Sequence, residues 1–121
     1  MKTRKTGSVL MMLIVMLVVS FFIVEKPVEA ATEGFYEYRS EKDGTATITK
    51  YLSDEVNCVI PKTLGGAPIG QIGGSAFKGK TYMKTVKIPE TVTKIDSYAF
   101  EKCQSLTSLT IPNSVTTLGY L

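Results

Sequence analysis

Residues 95–112 read Ile95-Asp96-Ser97-Tyr98-Ala99-Phe100-Glu101-Lys102-Cys103-Gln104-Ser105-Leu106-Thr107-Ser108-Leu109-Thr110-Ile111-Pro112, and the chain has already written their apolar skeleton once. Ile72, Ala76, Phe77, Met83, Val86, Ile88 and Pro89 recur as Ile95, Ala99, Phe100, Leu106, Leu109, Ile111 and Pro112, each pair 23 residues apart. A fixed period with matched apolar positions marks one supersecondary unit, too small to bury its own hydrophobic face and stacked on its neighbours to do so. The sequence therefore predicts a β-rich repeat solenoid. Solenoids work by presenting a surface.

Within a block, Val86-Lys87-Ile88 alternates apolar and polar, as a strand with one buried face should, and Pro89 ends the pairing because it has no amide hydrogen to donate. Asp96 and Ser97 stand ahead of Ala99-Phe100 as helix-start residues. The expectation is one strand and one short helical turn per repeat, with a parallel sheet on one face and the helical turns on the other. Val92, Ile95, Val115 and Leu118 fill the coil between them. The predicted core is Ile60, Leu64, Ile72, Phe77, Met83, Val86, Ile88, Val92, Ile95, Phe100, Leu106, Leu109 and Ile111. Cys58, Ile60 and Pro61 match Val86, Ile88 and Pro89 at an offset of 28, so a degenerate first repeat carries an insertion at Gly65 to Ile69, read as a loop from Gly65, Gly66 and Pro68.

Upstream, Phe35-Tyr36 with Tyr38 and Thr45 to Tyr51 are β-prone runs around Asp43-Gly44, a strong hairpin signal. An open solenoid end exposes apolar surface and unpaired backbone, so residues 31–56 are expected to form a β-hairpin cap and residues 57–121 about two and a half repeats. Residues 1–30 read as a secretory signal peptide. Lys2, Arg4 and Lys5 precede an apolar run from Val9 to Val24, and Val28-Glu29-Ala30 suits a cut after Ala30. Sixteen residues rise only about 24 Å as a helix, short for a membrane span, which favours cleavage over an uncleaved anchor. No cysteine near the cut invites lipidation, and Thr116 to Leu121 carries no wall-sorting signal. The expected location is secreted or at the cell surface, with membrane contact only through the leader.

Of 14 basic and 11 acidic residues, the leader holds four and two, leaving 10 against 9 and a net +1 beyond it. The basicity belongs mainly to targeting, which argues against nucleic acid as a partner.

The phrase Tyr98 to Val115 resembles the BspA-like leucine-rich repeats of bacterial surface proteins: it shares the Ala99-Phe100 pair, Cys103 ahead of Ser105-Leu106, and Ile111-Pro112 closing the strand. The resemblance covers about residues 35–121, with Lys80 standing where the next repeat has Cys103. It implies a right-handed, short leucine-rich-repeat stack, and the family's association with host or matrix proteins implies a protein-binding or adhesion role. A third Ala-Phe turn would fall due beyond Leu121, so a fragment of a longer repeat protein, a truncated reading frame or an unusually short member is expected.

The chain has no histidine, the usual general base and commonest metal ligand. Ser75 after Gly73-Gly74 has no base to activate it and sits where the repeat needs a turn. Asp54 and Glu55, like Asp96 and Glu101, fall at polar loop positions. No catalytic residue, metal site or cofactor is expected. Cys58 takes an inward strand position and Cys103 an inner turn in another coil; a bridge needs Cα atoms within about 7 Å, so two buried thiols are expected rather than a disulfide.

The candidate surface is the outward face of the sheet, where Asn57, Thr85 and Ser108 should form one column and Val59, Lys87 and Thr110 another. Such a ladder suits a protein strand or a glycan, and Lys78, Lys80, Lys84 and Lys87 cluster around one coil where an anionic polymer could meet them. The alternative function is a structural fragment that self-associates through its open C-terminal end, with residues 112–121 the most mobile part.

Overall fold

The computed structural model describes residues 30–121. The signal peptide assigned to residues 1–30 therefore lies, Ala30 apart, outside the described residues. The chain lays down β1 (Ala30–Glu33), β2 (Tyr36–Ser40), β3 (Ala46–Tyr51), β4 (Asn57–Val59), β5 (Thr63–Leu64), β6 (Ala67–Ile72), β7 (Thr85–Lys87), β8 (Lys94–Ile95), β9 (Ser108–Thr110) and β10 (Thr117–Leu118). Two sheets result. One is the parallel trio β4-β7-β9; the other runs β1-β2-β3-β6-β8-β10, antiparallel through the cap and parallel through the coils.

The second sheet corrects the expectation of one strand per repeat. Each full coil carries two, because Lys94-Ile95 and Thr117-Leu118 pair with the coil before them. Two-residue strands are too short to show any alternation in sequence. The helical turns also give way: among the described residues there is no helix, and none long and apolar enough to cross a membrane. The reason lies in the backbone. Ser75 and Tyr98 hold the same repeat position with φ of 60° and 63°, and Gly79 and Lys102 share another with 76° and 59°. A left-handed residue every few positions breaks a right-handed helix before it completes a turn. What remains is a chain of tight turns, with Ala99, Glu101, Cys103 and Leu106 amides donating to the carbonyls of Asp96, Tyr98, Phe100 and Cys103. Asp96 does not cap a helix; its carboxylate accepts from Gln71 and pairs with Lys94.

The insertion is likewise more than a loop. Thr63 and Leu64 pair antiparallel with Pro68 and Ala67 around Gly65 and Gly66, whose positive φ the tight turn requires. In the cap, the β2–β3 hairpin turns at Gly44 (φ 86°), where Asp43 accepts hydrogen bonds from the amide and hydroxyl of Thr45. A third cap strand, β1, escaped the sequence reading because Ala30-Ala31-Thr32-Glu33 has no alternation to detect. Parallel pairing of β3 with β6 seats the cap on the first coil.

The core lies between the two sheets. A ladder of rings runs down its axis: Tyr36 to Tyr51 at 5.1 Å, Tyr51 to Phe77 at 4.9 Å, and Phe77 to Phe100 at 5.1 Å between centroids. Offset and tilted rings at these spacings attract beyond their buried area. Most predicted core residues are buried, from Ile60 through Phe100. Leu106 and Leu109 are only half-buried and Ile111 is 36% exposed, because no further coil covers them among the described residues. Between coils, Thr93, Thr107 and Thr116 hydroxyls each donate to a backbone carbonyl 23 residues earlier, at Gly70, Lys84 and Thr93.

Two predictions arise here. Tyr36, Tyr51 and Cys58 converge at the top of the core, with the Tyr36 hydroxyl 3.5 Å from Cys58 Sγ. Burial pushes both phenols above their ordinary 10.0 and the thiol above its ordinary 9.0. These groups are neutral when protonated, so the unfolded chain ionises first and the fold loses stability as pH rises past those ordinary values. Melting by circular dichroism is expected to show a constant midpoint from pH 7 to 8.5 and a steady fall above about pH 9, with a shallower fall in Tyr36→Phe. A midpoint flat to pH 11 would contradict the burial of these groups. The second concerns residues 112–121. Their amides are bonded to the previous coil, at Thr93 and Ile95, but Thr116, Thr117, Leu118 and Leu121 are exposed. Hydrogen exchange is expected to be faster here than at any other part of the repeats. Protection of Thr116 to Gly119 equal to that of Val86 would overturn this.

Candidate functional site

The trio β4-β7-β9 brings the six candidate residues together in the two expected columns. Asn57 pairs with Thr85 and Thr85 with Ser108; Val59 pairs with Lys87 and Lys87 with Thr110. Between the columns, Cys58, Val86 and Leu109 point into the core. The alternation that sends every second side chain outward is what separates a solvent row from a packed one. Asn57, Val59, Lys87, Ser108 and Thr110 are exposed, Val59 to 68%, while Thr85 is half-buried. The Thr85 hydroxyl donates to the Asn57 side-chain oxygen at 2.8 Å, fixing two neighbours of the first column against each other.

The four-lysine cluster divides. Lys78 pairs with Glu101 at 2.6 Å, its partner one repeat on, and this bond holds the Glu101 carboxyl below its usual range. Lys80 reaches Asp54 at 3.4 Å and lies 5.5 Å from the centre of the Tyr51 ring. Lys84 and Lys87 are exposed and in no ion pair among the described residues. Glu101 sits one repeat period from Lys78, while Asp54 lies in the cap, out of phase with Lys80, so the lysine cluster by itself does not show these pairings.

Each carboxylate weighed for acid–base work has a structural partner: Asp54 has Lys80, Asp96 has Lys94, Glu101 has Lys78, and Glu55 accepts from the Tyr51 hydroxyl. Ser75 is exposed on a turn with left-handed backbone. Among the described residues no three of His, Cys, Asp and Glu are placed to hold a metal. Cys58 is buried in the first sheet position and Cys103 is half-buried; both thiols are free. Cys103 Sγ instead donates to the Phe77 carbonyl at 3.1 Å, a tie between successive coils. Lys62 was missed as a surface residue, although Pro61-Lys62, Pro89-Glu90 and Pro112-Asn113 share one repeat position that could have drawn attention to it.

Stacked coils with a three-stranded parallel ladder on one side define a leucine-rich-repeat solenoid. Residues 57–120 match the family described as BspA type leucine rich repeat region (6 copies), and the chain belongs to that family. A leucine-rich cell surface protein from Faecalibacterium prausnitzii is 38% identical, with a TM-score of 0.68 over 79% of this chain and 27% of its own. A leucine-rich repeat protein from Bacteroides capillosus is 27% identical, with a TM-score of 0.67 over 75% of this chain and 71% of its own. This chain thus spans about a quarter of the length of the first of these. No curated protein matches the chain.

Proposed function

We propose that the protein is a secreted or cell-surface module, without catalytic activity, that binds another protein through the outward face of β4-β7-β9. The observation that carries this reading is the register itself. Six side chains from three coils stand in two straight columns on an open face, and an ordered flat ladder is what an extended partner segment can lie across. The signal-like leader and the likeness to a protein described as a cell surface protein support the location. With every candidate carboxylate engaged in a structural contact, recognition and not chemistry fits the surface.

The test is binding of labelled protein to an array of purified extracellular matrix proteins and glycans. Two double variants are compared with the parent: Thr85→Glu with Ser108→Glu on the face, and Lys42→Glu with Lys50→Glu on the cap. The expected result is a protein signal lost in the first and kept in the second. Signals that survive the face variant, or that fall equally in both, would overturn the reading.

A second reading rests on a different observation. Ile111, Leu118, Tyr120 and Leu121 are exposed around the last coil, and β9 and β10 each have one partner among the described residues. Apolar residues beside an unpaired edge favour association with another repeat unit. Light scattering separates the two: a discrete dimer across a hundredfold concentration range supports association through the end, and a constant monomer supports the face alone.

A further inference from the structure

Where each strand of the trio turns its Ile-Pro corner, the coils leave a groove of about 750 Å3 between them. Its apolar lining includes Pro89, Ile111 and Pro112, and its charged lining is Lys62, Lys87 and Glu90. All three charged groups are exposed, and none is in an ion pair among the described residues. Arg39, Lys78, Lys80 and Lys94 have acidic partners, whereas Lys42, Lys50, Lys84 and Lys102, like the groove lysines, have none among the described residues.

We propose that this corner groove captures an extended segment of a partner protein by one carboxylate, held between Lys62 and Lys87, and by the aliphatic side chain beside it, packed on Ile111 and the prolines. The proposal rests on the sheet face being the recognition surface and names the chemistry it selects. Groove and face are continuous: Lys87 and Thr110 belong to both, and the exposed Val59 is paired with Lys87. Charge decides between occupants. Two lysines and Glu90 leave a net +1 at the groove, which one carboxylate complements; a sulfated or phosphate-rich polymer would bring several charges past Glu90 and gain nothing from the apolar lining. An extended peptide suits both halves. Alternate side chains of a strand point the same way about 6.6 Å apart, so a segment crossing the face can send a carboxylate and an aliphatic group into one groove.

The proposal is tested by titrating 15N-labelled protein with a blocked octapeptide repeating Glu-Ser-Val-Ser, in which glutamate and the next-but-one valine point the same way. The comparison ligands are the glutamate–serine octapeptide, with serine in place of each valine, the lysine–valine octapeptide, with lysine in place of each glutamate, and dextran sulfate. The expected result is amide shifts centred on Lys62, Lys87 and Ile111. Binding should be at least about ten-fold weaker for glutamate–serine, for lysine–valine, for Lys62→Glu with Lys87→Glu, and for Ile111→Ser. Circular dichroism shows whether each variant keeps its fold, and the lysine pair, lying outside the core, serves if Ile111→Ser does not. Shifts confined to Asn57, Thr85 and Ser108 would overturn the groove while leaving the face reading intact; no shifts on either would overturn both. Binding of dextran sulfate that is as tight and insensitive to Ile111→Ser would make this a polyanion site and overturn the proposal.

Discussion

Phe77→Ala is expected to destabilise the protein by about 3–5 kcal/mol, the largest effect of any single substitution in the stack. Phe77 is fully buried and is the one ring whose neighbours on both sides are rings of other coils, Tyr51 of the cap and Phe100 of the next repeat. Truncation leaves a void that neither neighbour can readily fill, because backbone hydrogen bonds fix the spacing of the coils: the amides of Tyr51 and Phe77 donate to the carbonyls of Ala76 and Ala99 in the coil that follows. In a one-dimensional stack, stability is a sum of coil and interface contributions, and this residue belongs to two interfaces. For a domain of this size the loss corresponds to a fall of roughly 12–40 °C in melting temperature. Phe77→Leu, which keeps most of the volume, is expected to cost less than about half as much. Thermal melts followed at 222 nm check both. A Phe77→Ala protein melting within a few degrees of the parent would mean the ladder of rings does not hold the coils together.

Gly73→Ala should also destabilise the protein, with a different signature. Its φ is not the issue. A methyl group at Gly73 would sit 2.7 Å from the backbone carbonyl oxygen of Ile48, the same oxygen to which the Gly73 amide donates at 2.8 Å. The contact is with backbone on a strand paired on both sides, so the cap has to move away from the first coil. The expected cost is about 1–3 kcal/mol from crowding, with more if the Ile48 carbonyl is left unpaired. Gly74→Ala is the control, because its methyl would meet only ordinary contacts, the nearest at 3.4 Å. Hydrogen exchange distinguishes this lesion from a general loss of stability. In Gly73→Ala, Ala46 to Tyr51 should exchange faster while Val86 and Ile95 stay protected. Uniform acceleration throughout would show that cap and stack open as one unit.

How far the sequence could be read follows from what each feature depends on. The 23-residue period is carried by large apolar side chains, so the strand β7, the columns it anchors and the buried Phe77 and Phe100 were all visible. The β8 and β10 strands were not, since two residues cannot show a period. Ser75 and Tyr98 gave no hint of left-handed backbone; neither is a glycine, and only the tight turn around them demands it. The Asp96-Ser97 pair pointed to a helix start because Asp and Ser commonly cap helices, yet the side chain of Asp96 is engaged by Lys94 and by Gln71 of the previous coil. The two outward columns were legible because register follows from the period once strands are parallel. The pairing of Lys78 with Glu101 follows the same arithmetic and went unread, while the corner groove depends on Lys62, whose position the insertion shifts out of phase.

The most direct test of the platform is the geometry of its columns in solution. With Cys58 and Cys103 replaced by alanine, nitroxide labels are placed on Asn57→Cys with Ser108→Cys and, separately, on Val59→Cys with Thr110→Cys. Each pair spans two strand spacings, about 9.6 Å between backbones, with one coil between. Electron paramagnetic resonance should give strong dipolar broadening and a narrow distribution centred near about 10 Å for both pairs. Distances beyond about 20 Å, or a broad distribution in both pairs, would contradict a stack in which three coils present one straight face.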